Sequence, residues 1–182
     1  MELLEAAPQS VFHLSIHTVN VEQARRCVRN GRLRMDALVV NVKGHLDSPE
    51  SVDALCTDLL KHPSLKILVI HDASFDTAAA MRVLVNAAIA LRLQILGLVS
   101  CECTHACVPE LTRVVSAGML EHLFINQHRG VVVFEPGDDT NQFCAAVRAS
   151  ASLESLTFSG CGFNPDVAVV AEFINADRSY FW

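Results

Sequence analysis

The chain has 182 residues, 51% of them apolar, and a formal net charge of -6. That apolar content excludes a disordered chain, and the negative charge argues against nucleic acid, whose phosphates it would repel. No segment reads as membrane-spanning: the apolar run Val83–Leu91 is closed by Arg82 and Arg92, well short of the roughly 20 residues a spanning helix needs.

In chain order, six segments share one pattern: Val11–Ile16, Met35–Val40, Leu65–Ile70, Leu93–Leu98, Leu120–Ile125 and Leu153–Phe158. Each is apolar at its first, fourth and sixth positions, and the fourth is always leucine: Leu14, Leu38, Leu68, Leu96, Leu123 and Leu156. The mean spacing is about 28 residues, within the range of strand–helix repeats. Strands are therefore predicted at 11–17, 35–42, 65–71, 93–99, 120–126 and 153–159.

Helices are predicted between them. Ser48 reads as an N-cap, with Pro49 at the first helical position. Val52, Leu55, Cys56, Leu59 and Leu60 then share one face, and Asp58 falls on the outer, convex side. Asp76 is placed to cap the next helix, with Met81, Leu84, Val85 and Ala88 facing inward. Asn164-Pro165 opens a last helix with Val167, Val170, Ala171 and Ile174 on its apolar side. Weaker helical patterns follow Asn20, span Pro109–Ala117 and follow Thr140. The longest interval holds Arg129–Asp139, whose Gly, Pro and acids predict a loop with a short apolar run tucked under the sheet.

Two segments extend the pattern: Leu93-x-x-Leu96-x-Leu98-x-x-Cys101-x-Cys103 and Leu153-x-x-Leu156-x-Phe158-x-x-Cys161-x-Phe163. Together with the six leucines, they resemble the leucine-rich-repeat family, in particular its ribonuclease-inhibitor-like branch. The resemblance covers about residues 11–176. It implies an α/β solenoid, a curved horseshoe segment forming one domain over 1–182, with a parallel sheet on the concave face and helices on the convex face. Lys43, Ala73 and His128 depart from the family's ninth-position Asn or Cys, so less regular turns are expected there.

Function within that family is expected to be partner binding on the concave face. Two family roles stand as alternatives: substrate recognition for a ubiquitin ligase, and regulation of a GTPase through an arginine. Nothing marks Arg25, Arg26 or Arg129 for the second, and the first ten residues are too few for an F-box. A small doubly wound α/β enzyme is the remaining alternative, but no cofactor fingerprint or nucleophile motif is present. No catalytic residue, metal or cofactor is therefore assigned. Cys101-x-Cys103-x-His105-x-Cys107 has the ligand types for zinc but no second ligand pair, and it reads as buried thiols. Seven cysteines, odd in number, fit a reducing compartment. The acidic start, Met1-Glu2-Leu3-Leu4-Glu5, is unlike a secretory signal, so a cytoplasmic address is expected.

The outward positions of the strands form the candidate site. Val39, Ile67, Val69, Ile95, Val99 and Phe124 make an apolar centre, with His71, His122 and Asn126 around it. Phe124 is the expected anchor, and His71 and His122 predict pH-sensitive binding. The chain stops at Tyr180-Phe181-Trp182 with no polar cap in the pattern. This predicts a longer array or self-association through open ends.

Overall fold

The computed structural model describes residues 13–17, 21–29, 35–42, 48–75, 77–127, 132–163 and 179–181. Seven strands form one parallel sheet: β1 (His13–His17), β2 (Ala37–Asn41), β3 (Ile67–His71), β5 (Ile95–Val99), β7 (His122–Asn126), β9 (Ser155–Ser159) and β11 (Ser179–Phe181). They lie side by side in chain order, each paired only with the strand before and after it. Shorter strands follow some of them: β4 (Ser74–Phe75) pairs with β6 (Glu102–Cys103), and β8 (Val132–Phe134) with β10 (Gly162–Phe163). The helices are α1 (Val21–Val28), α2 (Pro49–Leu59), α3 (Ala78–Leu91), α4 (Val108–Ser116) and α5 (Asp138–Ala149).

The register explains the leucine spacing. Leu14, Leu38, Leu68, Leu96, Leu123 and Leu156 are successive cross-strand partners, and Tyr180 of β11 continues the row. Leu38, Leu68, Leu96, Leu123 and Leu156 are almost wholly buried in one core, together with the sixth-position Val40, Ile70, Leu98, Ile125 and Phe158. Alternation puts these residues on one sheet face. The helices cover that face with Val52, Leu55, Met81, Leu84, Val85, Leu111, Val115, Phe143 and Val147, all in the same core. Each helix also packs against the next in the chain. The fold is thus α/β, a parallel sheet with helices on one side.

Local signals account for the helix starts. Ser48 Oγ accepts the Ser51 N–H at 3.2 Å, and Ser51 Oγ accepts the Ser48 N–H in return, with Pro49 opening α2. The cap of α3 is Thr77, whose Oγ1 accepts from the Ala80 N–H, whereas Asp76 lies outside the described residues. Leu60, expected inward, is 48% exposed, because it is the C-cap of α2 and the helix has ended there. The predicted helix after Asn164 also lies outside the described residues.

The turns after the strands correct one expectation. Asp72, Ser100 and Gly160 each follow a strand and share a left-handed conformation, with φ of 59°, 55° and 66°. Ala73 does not make its turn irregular: Asp72 turns as Ser100 does, and the Glu102 N–H bonds the Ala73 carbonyl at 2.9 Å. After β7 the corresponding residue is instead Gln127, buried and donating from Nε2 to the Cys103 carbonyl.

Part of the predicted 129–139 loop is regular structure, and Val133 and Phe134 of its short apolar run are buried, as expected. Val132–Phe134 is a strand, and Asp138 and Asp139 open α5. Phe134 is buried against Phe143 and Phe158, with ring centroids 5.1 and 4.9 Å away, a cluster that supplies the apolar reason for the strand. Phe134 pairs with Phe163. Phe75, Cys103 and Phe163 each fall seven residues after their strand leucine, while Phe134 falls eleven after Leu123. The extra length of the long interval therefore enters between Gln127 and Val132, and the packing pattern resumes beyond it.

At the other end, Ser179–Phe181, where the pattern showed no polar cap, forms regular structure. It is a seventh strand, parallel to β9.

Candidate functional site

Three rows of side chains run across the sheet face opposite the helices. They are Ala37, Ile67, Ile95, His122 and Ser155; Val39, Val69, Gly97, Phe124 and Thr157; and Asn41, His71, Val99, Asn126 and Ser159. Strand pairing thus brings all nine predicted residues together. Val39, Ile67, Val69, His71, Ile95, Val99, His122 and Phe124 are half-buried, and Asn126 is exposed. The core face of the same strands is almost wholly buried, so the helices leave this face uncovered. By backbone register β1 extends the rows with His13, Ser15 and His17.

Phe124, the expected anchor, leans over the neighbouring strand. A Cβ placed on Gly97, its direct cross-strand partner, would lie 2.0 Å from Phe124 Cζ and 2.2 Å from Cε2. The ring tip therefore occupies the space of the missing side chain and covers the backbone of β5. The sequence offered a signal in the single glycine beside the single aromatic of that row.

The face offers contact area more than chemistry. Among the described residues, no group of three His, Cys, Asp or Glu is arranged to hold a metal ion. In Cys101-x-Cys103-x-His105-x-Cys107, three side chains are engaged by backbone carbonyls. Cys101 Sγ donates to the Ile70 and Val99 carbonyls, both at 3.4 Å, and Cys107 Sγ to that of Phe75 at 2.9 Å. His105 turns to β8, with Nδ1 3.0 Å from the Val133 carbonyl oxygen. Cys161 repeats the geometry of Cys101, donating to the Ile125 and Ser159 carbonyls. Burial pushes the Cys101 and Cys161 thiols up to about 12 and Cys103 well above its ordinary value. At neutral pH they are weak donors rather than thiolates.

Charged chemistry sits on the helix side, where sequence patterning missed it. Asp58, expected on the convex surface, has a side chain only 3% exposed, because α1 packs over it. It accepts from Arg25 Nε at 2.9 Å, Arg29 Nε at 3.3 Å and Lys61 Nζ at 2.7 Å. Glu110 on α4 is equally buried and accepts from Arg82 at 2.7 Å and from Arg113. Burial would raise both carboxyl pKa values, but hydrogen bonds from these cations outweigh it and hold both below the usual range. Arg25 is thereby committed to Asp58 and Glu22.

No described helix is long and apolar enough to cross a membrane. No protein-family model matches the chain, and no curated protein matches it.

Proposed function

We propose that the chain is a leucine-rich-repeat solenoid whose function is to bind a partner protein on the uncovered sheet face. The observation that carries this reading is the row structure of that face. Val39, Ile67, Val69, Ile95, Val99 and Phe124 lie on neighbouring strands, half-buried, on the face opposite the described helices. A contiguous, partly exposed apolar patch of this kind supports a contact site. The common register and chain-order strand sequence support the solenoid. Self-association is a companion proposal, since among the described strands β1 and β11 are outermost and each pairs on one side only.

The test starts from affinity capture with the purified chain, identification of the retained protein and reconstitution with that protein in pure form. Val69→Glu and Val99→Glu, each checked for unchanged melting, should abolish the reconstituted complex. Asp53→Lys, on an exposed position of α2, should leave it intact. Wild-type binding by both sheet-face variants would refute the reading. Light scattering that finds a strict monomer at high concentration would refute self-association.

A further inference from the structure

The described charges are segregated between the two sides of the protein. Of the described Lys and Arg residues, Lys66 alone borders the large sheet, and the others lie on helices or at their ends. The three rows of the uncovered face contain no Lys or Arg. Along one margin, one residue before β2, β3, β5, β7 and β9, stand Asp36, Lys66, Gln94, Glu121 and Glu154. Their backbones form a continuous ladder: the carbonyl of each of the first four accepts two N–H groups from the next strand's entry. Along the other margin stands Asp72.

Most of the described helix-side cations are ion-paired with acids of that side. On the helix side, Glu22, Asp58 and Glu110 are each paired with two or three cations. Among the described residues, no Lys or Arg is ion-paired with Asp36, Asp72, Glu121 or Glu154. Glu121 accepts a neutral hydrogen bond from Gln94 Nε2 at 2.8 Å, which leaves its charge in place. Among the described residues, the border of the apolar centre thus carries Asp36, Asp72, Glu121 and Glu154 against Lys66, an excess of negative charge.

We propose that the occupant of this face is a cationic amphipathic segment of a partner protein. Its apolar side chains seat on Ile67, Val69, Ile95 and Val99, and its Lys or Arg residues reach Asp36, Glu121 and Glu154 on one margin and Asp72 on the other. This inference rests on the binding-face reading above. Complementary rim charge chiefly steers encounter and selects the partner's sign, while the apolar centre supplies most of the affinity.

The probe is a fluorescein-labelled peptide of about 18 residues, some five helical turns, built from Leu and Lys in amphipathic order. Leu/Glu and Ser/Lys versions of the same pattern serve as comparisons. Anisotropy titrations should show saturable binding of the Leu/Lys peptide, with both others weaker by about tenfold or more, a difference of about 1.4 kcal/mol. Combining Asp36→Asn, Glu121→Gln and Glu154→Gln should weaken Leu/Lys binding by about fivefold and flatten its salt dependence. Glu50→Gln with Asp53→Asn, on exposed positions of α2, should change it less than about twofold, since those charges lie on the helix side. If Leu/Glu binds as well as Leu/Lys and both are lost in Val69→Ser, the charge inference falls and the binding face stands. If Ser/Lys binds equally and Val69→Ser has no effect, the attraction is bare charge, and both fall. Equal weakening by the two sets of neutralising changes, or no binding of any peptide, overturns the inference.

Discussion

The tip of the Phe124 ring stands where a side chain at Gly97 would stand, one strand away. An aromatic leaning over a glycine on the next strand shields backbone that the glycine leaves bare. The two positions are therefore coupled. Gly97→Ala should displace the ring, and Phe124→Ala should uncover Gly97. A double-mutant cycle should return a coupling energy of about 0.5–3 kcal/mol, the range for residues in contact. Additive effects in urea denaturation would show that the ring does not depend on the space left by the glycine.

Two glycines with nearly the same φ should respond very differently to alanine. Gly160 has φ 66°, and a Cβ there would lie 2.0 Å from the Gln127 carbonyl oxygen, a backbone atom that cannot swing aside. Gly118 has φ 69° with nothing within 4 Å. Gly118→Ala should cost about 1 kcal/mol of left-handed strain. Gly160→Ala should cost that plus the displacement of β7's exit, about 3 kcal/mol or more. Equal losses in chemical denaturation would contradict the difference in space.

Asp58 and Glu110 tie stability to pH. Both carboxyl groups are held below their ordinary range in the folded protein. Their contribution is fully present above the unfolded values, about 3.9 for Asp and 4.3 for Glu, and is lost as pH falls through the lower folded values. Between about pH 5 and pH 3 the wild type should therefore lose more stability than a variant carrying Asp58→Asn and Glu110→Gln. Parallel pH profiles of the urea midpoint would exclude this linkage.

Leu96 tests the shared core. It is fully buried in the middle of the leucine row, between Leu68 and Leu123. Leu96→Ala should cost on the order of 2–5 kcal/mol, through lost transfer energy and the cavity left behind. An unchanged denaturation midpoint would be incompatible with that placement.

The thiols should be inert in the native state. Cys56, Cys101 and Cys161 are pushed up to about 12, first by burial. Ellman's reagent at neutral pH should react slowly with the folded protein and fully after denaturation. Elemental analysis after zinc exposure should find well under one zinc per chain; one zinc lost in Cys107→Ser would reverse this.

The large sheet was legible because one residue, the fourth-position leucine, keeps a single environment in every unit from Leu38 to Leu156. Helix interiors followed from the spacing of Val52, Leu55 and Leu59, or of Met81, Leu84 and Val85. Boundaries were less legible, because a cap depends on backbone angles as much as on residue type, and Thr77 and Asp76 carry similar cap chemistry. Asp58 was misplaced for a different reason. A helical wheel assigns an aspartate beside an apolar stripe to solvent, and only the packing of α1 over α2 buries it. The burial of Phe134 was expected from the short apolar run of its segment, but its strand was not, because Gly and Pro around it pointed to a loop. The rows of the sheet face opposite the helices could be written down from period-two alternation alone. The lean of Phe124 towards Gly97 could not, because alternation fixes which face a side chain leaves from and not which neighbour it falls against.

Tension applied to the two ends of the chain would reach its strand–helix units in series. Each large-sheet strand is hydrogen-bonded only to its chain neighbours, so an outer unit can peel away while the pairings behind it stay whole. A tethered molecule should extend in a staircase of similar steps, each releasing one unit of about 28 residues, or about 90–100 Å of contour. Under load the protein would behave as a row of links that open in succession from its ends.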